Sequence, residues 1–183
     1  VKKGDKGGYI EKENNLSQEG NCWIYGNTKV FDSAVVYDNA KVYGNAKVFD
    51  NAQVCGNAQV SGSTKIYGNV EVFGNAVVYD NAKVYGGAEV FGHAKVYGNA
   101  EVFDNALVYS YAKVCGDAEI KDNSDYIVFK NWWSSGRHFT WTRSNNMWRV
   151  GCFYGTGEEL IKKAYKDSEI SGREYERVVN YVE

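Results

Sequence analysis

Residues 23–124 repeat a six-residue unit without an insertion, through 17 copies. Counted from Lys41, each copy reads polar residue, Val or Ile, usually Tyr or Phe, usually Gly or Asp, usually Asn, then usually Ala, as in KVYGNA and KVFDNA. Position two is Val in 14 copies and Ile in the rest, at Ile24, Ile66 and Ile120. Internal repetition at a fixed short period is typical of a solenoid whose repeats stack on their neighbours.

The period predicts short strands joined by corners. Because side chains alternate between the two faces of a strand, positions six and two share one face and positions one and three share the other. We expect the small aliphatic residues inside, since the opposite arrangement would bury lysines such as Lys29 and Lys95 without partners. Positions four and five suit the corners, because Gly and Asn tolerate left-handed backbone angles.

The repeats resemble the hexapeptide-repeat family, whose chains coil as left-handed parallel β-helices. The resemblance implies three repeats in each triangular coil, so that 17 copies give between five and six coils. Left-handedness comes from the resemblance alone. The predicted fold class is therefore mainly β: an N-terminal capping coil over residues 1–22, a left-handed parallel β-helix over 23–124, and a small α+β C-terminal module over 125–183.

The C-terminal module has no repeats. Aromatic and β-branched residues predict three strands, at 126–130, 137–143 and 147–153. Capping boxes at 156–159 and 171–174 predict two helices, the first over 157–166. Together with the repeats, the segments GGYI (residues 7–10), GNCW (20–23) and GCFYGT (151–156) resemble small hexapeptide-repeat proteins of phage and prophage genomes. That resemblance implies a fold and a host-cytoplasm setting but no activity.

Outer residues three repeats apart are predicted to form columns. One column carries Lys29 and three further lysines beside Phe31, Phe49 and two tyrosines. The rings either stack to stabilise the face or form an oligomer interface, two roles that are compatible. The lysines either form a solvated face or, because they repel one another, attract an anion while the rings stack on a base. Aromatic residues alternating with arginines in the C-terminal module either form a small core with a charged rim or hold a planar anion. The candidate ligand-binding residues are Lys47, Lys65, Lys83, Tyr67, Tyr85, Arg137, His138, Trp141 and Arg149.

Composition argues against several classes of protein. A net charge of −2 lacks the basic footprint of a DNA- or RNA-binding protein, and no apolar run is long enough to span a membrane. The four cysteines include no CxxC pair, which argues against structural zinc and a disulfide scaffold. Hexapeptide acyltransferases resemble this chain in fold, but here no loop interrupts the repeats and His93 is one of only two histidines. Two histidines are too few for the three-histidine zinc site of γ-class carbonic anhydrases.

We therefore expect a non-enzymatic, cytoplasmic binding protein with no catalytic residue, metal or cofactor. The partners expected are further copies of the chain, with a trimer favoured because flat-sided prisms pack around a threefold axis, and a small nucleotide-like anion. In a phage, such a protein would sequester a host nucleotide immune signal. The alternatives are a passive scaffold that docks a partner protein and, third, an acyltransferase that uses His93.

Overall fold

The computed structural model describes residues 6–133 and 135–183. It is a mainly β, parallel solenoid of about six turns, followed by a small antiparallel sheet and two helices. The expected parallel solenoid is therefore confirmed. Among the described residues, no helix combines the length and the apolar character needed to cross a bilayer.

Three parallel sheets run along the solenoid, and residues paired between coils are 18 positions apart, as in Lys29 with Lys47. The first pairing of sheet 1 differs, because Tyr9 pairs with Lys29, 20 positions later. Sheet 1 consists of β1 (Tyr9–Ile10), β3 (Lys29–Val30), β6 (Lys47–Val48), β9 (Lys65–Ile66), β12 (Lys83–Val84), β15 (Glu101–Val102) and β18 (Glu119–Ile120). Sheet 2 consists of β4 (Val35–Val36), β7 (Gln53–Val54), β10 (Glu71–Val72), β13 (Glu89–Val90) and β16 (Leu107–Val108). Sheet 3 consists of β2 (Trp23–Ile24), β5 (Lys41–Val42), β8 (Gln59–Val60), β11 (Val77–Val78), β14 (Lys95–Val96) and β17 (Lys113–Val114).

The interior of the solenoid is a column of small aliphatic side chains. Ile66, Ala82 and Val84 are all 0% exposed, as are nearly all other residues at positions two and six. Lys65 and Tyr67, which flank Ile66, lie on the outside. The predicted inward and outward assignment is thus confirmed, and it follows from the cost of burying an unpaired charge.

The corners combine a left-handed backbone with stacked hydrogen bonds. Position four has positive φ whether it is Gly62 (76°) or Asp80 (61°). Aspartate is accommodated because its carboxylate serves the next coil: Asp50 Oδ2 accepts a hydrogen bond from the Gly68 amide at 3.0 Å. At position five, asparagines form ladders in which one amide donates to the next.

The outer aromatic rings stack along the solenoid, as one of the two interpretations of the sequence predicts. On sheet 1, neighbouring ring centroids are 4.9 to 5.2 Å apart and the planes lie within 8° of parallel. This stack contains Phe31, Phe49, Tyr67, Tyr85 and Phe103. Such offset ring pairs stabilise the face beyond the area that they bury.

The C-terminal module contains an antiparallel sheet with four strands, in the order β19 (Tyr126–Lys130), β20 (His138–Thr142), β21 (Met147–Val150) and β22 (Phe153–Gly155). The prediction of one strand over 147–153 is wrong, because the chain turns there. Gly151 has a φ of 59°, a left-handed conformation that interrupts the strand and starts a hairpin.

Two helices, α1 (Gly157–Asp167) and α2 (Glu169–Val182), pack on this sheet. The predicted capping box of α1 is confirmed: Thr156 Oγ1 accepts from the Glu159 amide, and Glu159 Oε2 accepts from the Thr156 amide. The predicted start of α2 is wrong, because Ser168 and not Ser171 is the N-cap, its hydroxyl accepting from the Ser171 amide at 3.1 Å. Two 3-10 helices, Glu13–Asn15 and Asn123–Asp125, lie at the two ends of the solenoid.

Three side chains close the downstream end of the solenoid, one just before the C-terminal module and two within it. In the inner coils, the position-one amide donates to a carbonyl of the next coil, as Lys95 N does to Ala112 O at 2.9 Å. Among the described residues no further coil follows the last one, and side-chain oxygens accept its amides instead. The pairs are Leu107 N with Asn123 Oδ1 (3.0 Å), Lys113 N with Thr140 Oγ1 (3.0 Å) and Glu119 N with Ser144 Oγ (2.7 Å). The open strand edges are thereby protected from pairing with another chain.

Replacing Thr140 with Val is expected to lower the free energy of unfolding by about 1–3 kcal/mol, because the Lys113 amide loses its acceptor in a buried position. Thr140→Ser keeps the hydroxyl and is the matched control, with a smaller loss. Urea denaturation followed by circular dichroism measures both. A loss in Thr140→Ser with none in Thr140→Val would mean that the methyl group, and not the capping bond, stabilises this contact.

Candidate functional site

The residues predicted to bind a ligand fall into two separate groups. Lys47, Lys65 and Lys83 lie on sheet 1 with their tyrosines. Arg149 lies in the C-terminal module and contacts sheet 3 instead, where its guanidinium is 5.8 Å from the centroid of the Tyr97 ring. No contact in the described part of the chain joins the two groups.

The lysine column on sheet 1 is partly neutralised at its downstream end. Lys83 Nζ lies 2.7 Å from Glu101 Oε1, and the Tyr85 hydroxyl donates to Glu101 Oε2 at 3.0 Å. The hydrogen bond raises the pKa of Lys83 and lowers that of Glu101. Lys47 and Lys65 are exposed, and neither forms an ion pair within the residues that the structure describes.

The two tyrosines beside this column have no ring face left for a ligand. Tyr67 is stacked between Phe49 and Tyr85, and Tyr85 between Tyr67 and Phe103. A planar base would have to open the ladder to enter it. The geometry therefore favours a stabilising role for Tyr67 and Tyr85.

Trp141 lies in the core of the C-terminal module. It is 7% exposed, and its indole N–H donates to Asn146 Oδ1 at 2.8 Å. It also pairs across the sheet with Trp148. Its polar atom is satisfied and its ring is covered, so the arrangement favours packing over ligand contact.

A cleft of about 380 Å³ lies where the C-terminal module meets sheet 3, and we refer to it as the junction cleft. The solenoid supplies one wall and the strand β20 with the residue before it supplies the other. The lining residues are Asn75, His93, Lys95, Tyr111, Lys113, Arg137, His138 and Gly151. Of the predicted residues, Arg137 and His138 are the two that the structure places here.

A stack of three rings ties the two walls together. The His93 and Tyr111 centroids are 4.9 Å apart, and those of Tyr111 and His138 are 4.3 Å apart. His93 and Tyr111 occupy position five of the repeat, where the same column upstream has asparagines such as Asn75. Two rings in place of asparagines, in the two coils nearest the C-terminal module, are the sequence signal for this wall.

The junction cleft is positively charged. Lys95, Lys113 and Arg137 line it, and none of them forms an ion pair with a carboxylate among residues 6–133 and 135–183. Burial, together with the charges of Arg149 and Lys95, lowers the pKa of Lys113. Like charges held together without a counter-ion are the arrangement expected of a site that an anion completes.

His138 adds a titratable group to the same cleft. Burial lowers the pKa of its imidazole, and the charges of Lys130 and Lys113 lower it further. Its ring is stacked on Tyr111, whose other face carries His93. An anion in the cleft would oppose these effects and favour the protonated imidazole.

Arg149 does not line the cleft but, in addition to burial, its charge lies close enough to Lys113 to lower the pKa of that lysine. One guanidinium nitrogen donates to the carbonyl of Cys152 at 3.1 Å and to that of Phe153 at 3.4 Å. Its Nε is buried without a hydrogen-bond partner among the described residues. Arg149 is thus fixed by the β21–β22 turn, and it keeps a positive charge close to Lys113.

No group of three or more His, Cys, Asp or Glu side chains is placed to hold a metal ion within the described residues. The sequence hypothesis did not select Lys95, Lys113 or Tyr111. Lys95 and Lys113 stand in one outer column, and only the fold of the C-terminal module shows that Arg137 and His138 meet the end of that column.

Comparison with known proteins finds the solenoid repeat. A family model described as "YdcK Beta solenoid repeat" matches residues 52–64, a segment that contains β7 and β8. No curated protein matches the chain. The comparison and the stacked parallel coils together support a β-solenoid repeat protein.

Proposed function

We propose that this protein binds a small anion in the junction cleft and does not transform it chemically. The observation that carries the proposal is the set of three cationic side chains, Lys95, Lys113 and Arg137, which converge on one concavity without a carboxylate partner among the described residues. In a chain with a net charge of −2, this is a local concentration of positive charge.

The ligand class that fits the lining is a nucleotide-like molecule. Lysine ammonium groups serve as point donors to phosphate oxygens, and the exposed guanidinium of Arg137 offers a plane on which a base stacks. The ring wall adds His93 and His138, which each have one face on Tyr111, whereas both faces of Tyr111 are covered. Phosphate and base thereby each have a complementary part of the cleft.

The wider setting is proposed from the resemblance to phage hexapeptide-repeat proteins. We propose three repeats per coil, which the 18-residue offset of paired strand residues supports, and a left-handed solenoid, which rests on the resemblance alone. The protein would act in the host cytoplasm as a homo-oligomer, with a trimer favoured, and would sequester a nucleotide immune signal. Capture without turnover would suffice for that role.

Titration calorimetry with cyclic AMP, ADP-ribose and inorganic phosphate tests the proposal. We expect at least one nucleotide to bind, and the double variant Lys95→Gln/Lys113→Gln to weaken it about 100-fold, since two charge-assisted hydrogen bonds are lost. The matched control, Lys47→Gln/Lys65→Gln, removes the same charge from sheet 1 and should leave the affinity unchanged. Loss in the control alone would place the anion on the lysine column, and no binding by any probe would refute the proposal.

The same titration carries a pH signature. In the free protein the pKa of His138 is lowered, and a bound anion raises it, so binding takes up a proton. Affinity for cyclic AMP, whose single phosphate does not titrate in this range, should therefore rise as the pH falls from about 7.5 to about 5.5. His138→Gln should weaken that dependence, since His93 is the other imidazole that lines the cleft. A pH-independent affinity in the wild-type protein would show that His138 does not face the anion.

A further inference from the structure

We propose that the free edge of β19 and the apolar groove beside it bind an extended, acidic segment of another protein. The site lies on the C-terminal module and shares no lining residue with the junction cleft. The proposal is therefore independent of the proposed function, and either one stands if the other fails.

The backbone of β19 presents unused hydrogen-bonding groups. β19 is the edge strand of its sheet, and among the strands that the structure describes it pairs with β20 alone. The hydrogen bonds from Arg143 N to Asp125 O and from Asn131 N to Arg137 O show that residues 125 and 131 direct their backbone groups toward the partner strand. Because facing alternates along an antiparallel strand, the N–H and C=O groups of Tyr126, Val128 and Lys130 point away from β20. Within the described residues, no backbone partner is present for them outside the strand pairing.

A groove of about 490 Å³ runs beside this edge. Ile127 and Phe129 of β19 line it, with Trp132 after the strand and Tyr181 of α2. Trp132 is 85% exposed and Tyr181 is 90% exposed. Large aromatic side chains with so little cover are typical of the central residues of protein interfaces.

An extended peptide is the occupant that matches both features. A strand added to β19 satisfies the free backbone groups, and every second residue of that strand points into the groove. The charge at the rim selects acidic flanking residues. Lys130 is exposed and forms no ion pair in the described part of the chain. Arg177 is paired with Glu174, with 2.7 Å between Nη1 and Oε1, so its charge is not available to a partner.

A selection from a random twelve-residue peptide library displayed on filamentous phage supplies the probes, and fluorescence anisotropy of the synthesised winners measures affinity. We expect winners with alternating apolar residues and at least one acidic flank. Val128→Pro removes an outward-facing N–H and leaves the β19–β20 bonds intact, and it should weaken binding about 10-fold or more. Val128→Ala, which shortens the same side chain but keeps the N–H, is the matched control and should change affinity about 2-fold or less.

Two further variants measure separately how much the apolar groove and the charge at its rim contribute to binding. Trp132→Ala and Lys130→Glu should each weaken the winners about 10-fold, with the thermal midpoint of the protein unchanged. The proposal is refuted if no peptide is enriched, or if binding survives Val128→Pro and Trp132→Ala. It is also refuted if light scattering shows a concentration-dependent dimer that Val128→Pro dissociates, because the occupant would then be a second copy of this chain.

Discussion

Ile66→Asp is expected to abolish cooperative folding, whereas Lys65→Asp, one residue earlier in the same strand, leaves the fold intact. Ile66 is fully buried in the solenoid interior, and no cationic side chain of residues 6–133 or 135–183 is buried there to pair with a carboxylate, whereas Lys65 points outward. Losing the buried side chain costs about 2–5 kcal/mol, and a buried unpaired charge costs several more. The sum is comparable to the whole stability of a typical domain, which is about 5–15 kcal/mol.

The control substitution introduces the same aspartate at a position whose side chain points outward instead of inward. An aspartate at position 65 would stand between Lys47 and Lys83, its partners in the sheet, so it relieves repulsion. We expect a change within about 0.5 kcal/mol, the usual range for an exposed position. Thermal and urea unfolding followed by circular dichroism measure both variants. If both substitutions are tolerated, or if Lys65→Asp is the damaging one, the inward and outward assignment of this strand is wrong.

The solenoid was predictable from the sequence because its rules are local and repeated. Alternation along each strand decides that Val84 is buried and Lys83 is not, and the same decision recurs in every copy. The corners are equally local, since position four needs a residue that accepts positive φ. An incorrect inward or outward assignment in one copy would have been evident, because the neighbouring copies follow the same pattern.

The C-terminal module was less predictable because each of its elements occurs once. The strand over 147–153 looked continuous, since only Gly151 marks the turn that divides it. For α2, Ser168 and Ser171 are both acceptable caps by residue type. Which of them begins α2 depends on where the chain leaves α1, whose C-cap is also Ser168.

The candidate site could not be predicted in full, because neither local rules nor periodicity say which sheet of the solenoid the C-terminal module covers. The alternation of aromatic and basic residues predicted Arg137 and His138 as ligand-binding candidates, and both line the junction cleft. The candidate lysines predicted from the sequence were those of sheet 1, whereas the structure places Arg137 and His138 beside Lys95 and Lys113 of sheet 3. The hydrogen bond from Lys113 N to Thr140 Oγ1, which fixes that docking, joins residues 27 positions apart and has no counterpart in the repeat.

Gly62→Val is expected to destabilise the protein by about 3 kcal/mol or more, because strain and crowding act together at this corner. Gly62 has a φ of 76°, which a β-branched residue strongly disfavours. A Cβ atom built there would lie 2.5 Å from the carbonyl oxygen and 2.7 Å from the amide nitrogen of Asp80, so the next coil would have to move. Neither valine methyl group offers a compensating hydrogen bond.

Gly62→Asp is the matched test of that explanation, since it adds the same Cβ atom at the same φ. An aspartate can accept the amide of the next coil, as Asp32 Oδ2 accepts from Asp50 N at 3.3 Å. Asp32 and Asp50 also show that two carboxylates are tolerated one above the other at a corner. We therefore expect Gly62→Asp to cost about 1 kcal/mol or less, since a gained hydrogen bond offsets the strain. Equal losses for Val and Asp in urea denaturation would show that steric crowding alone decides which residues occupy position four, and that the carboxylate bonds are incidental to it.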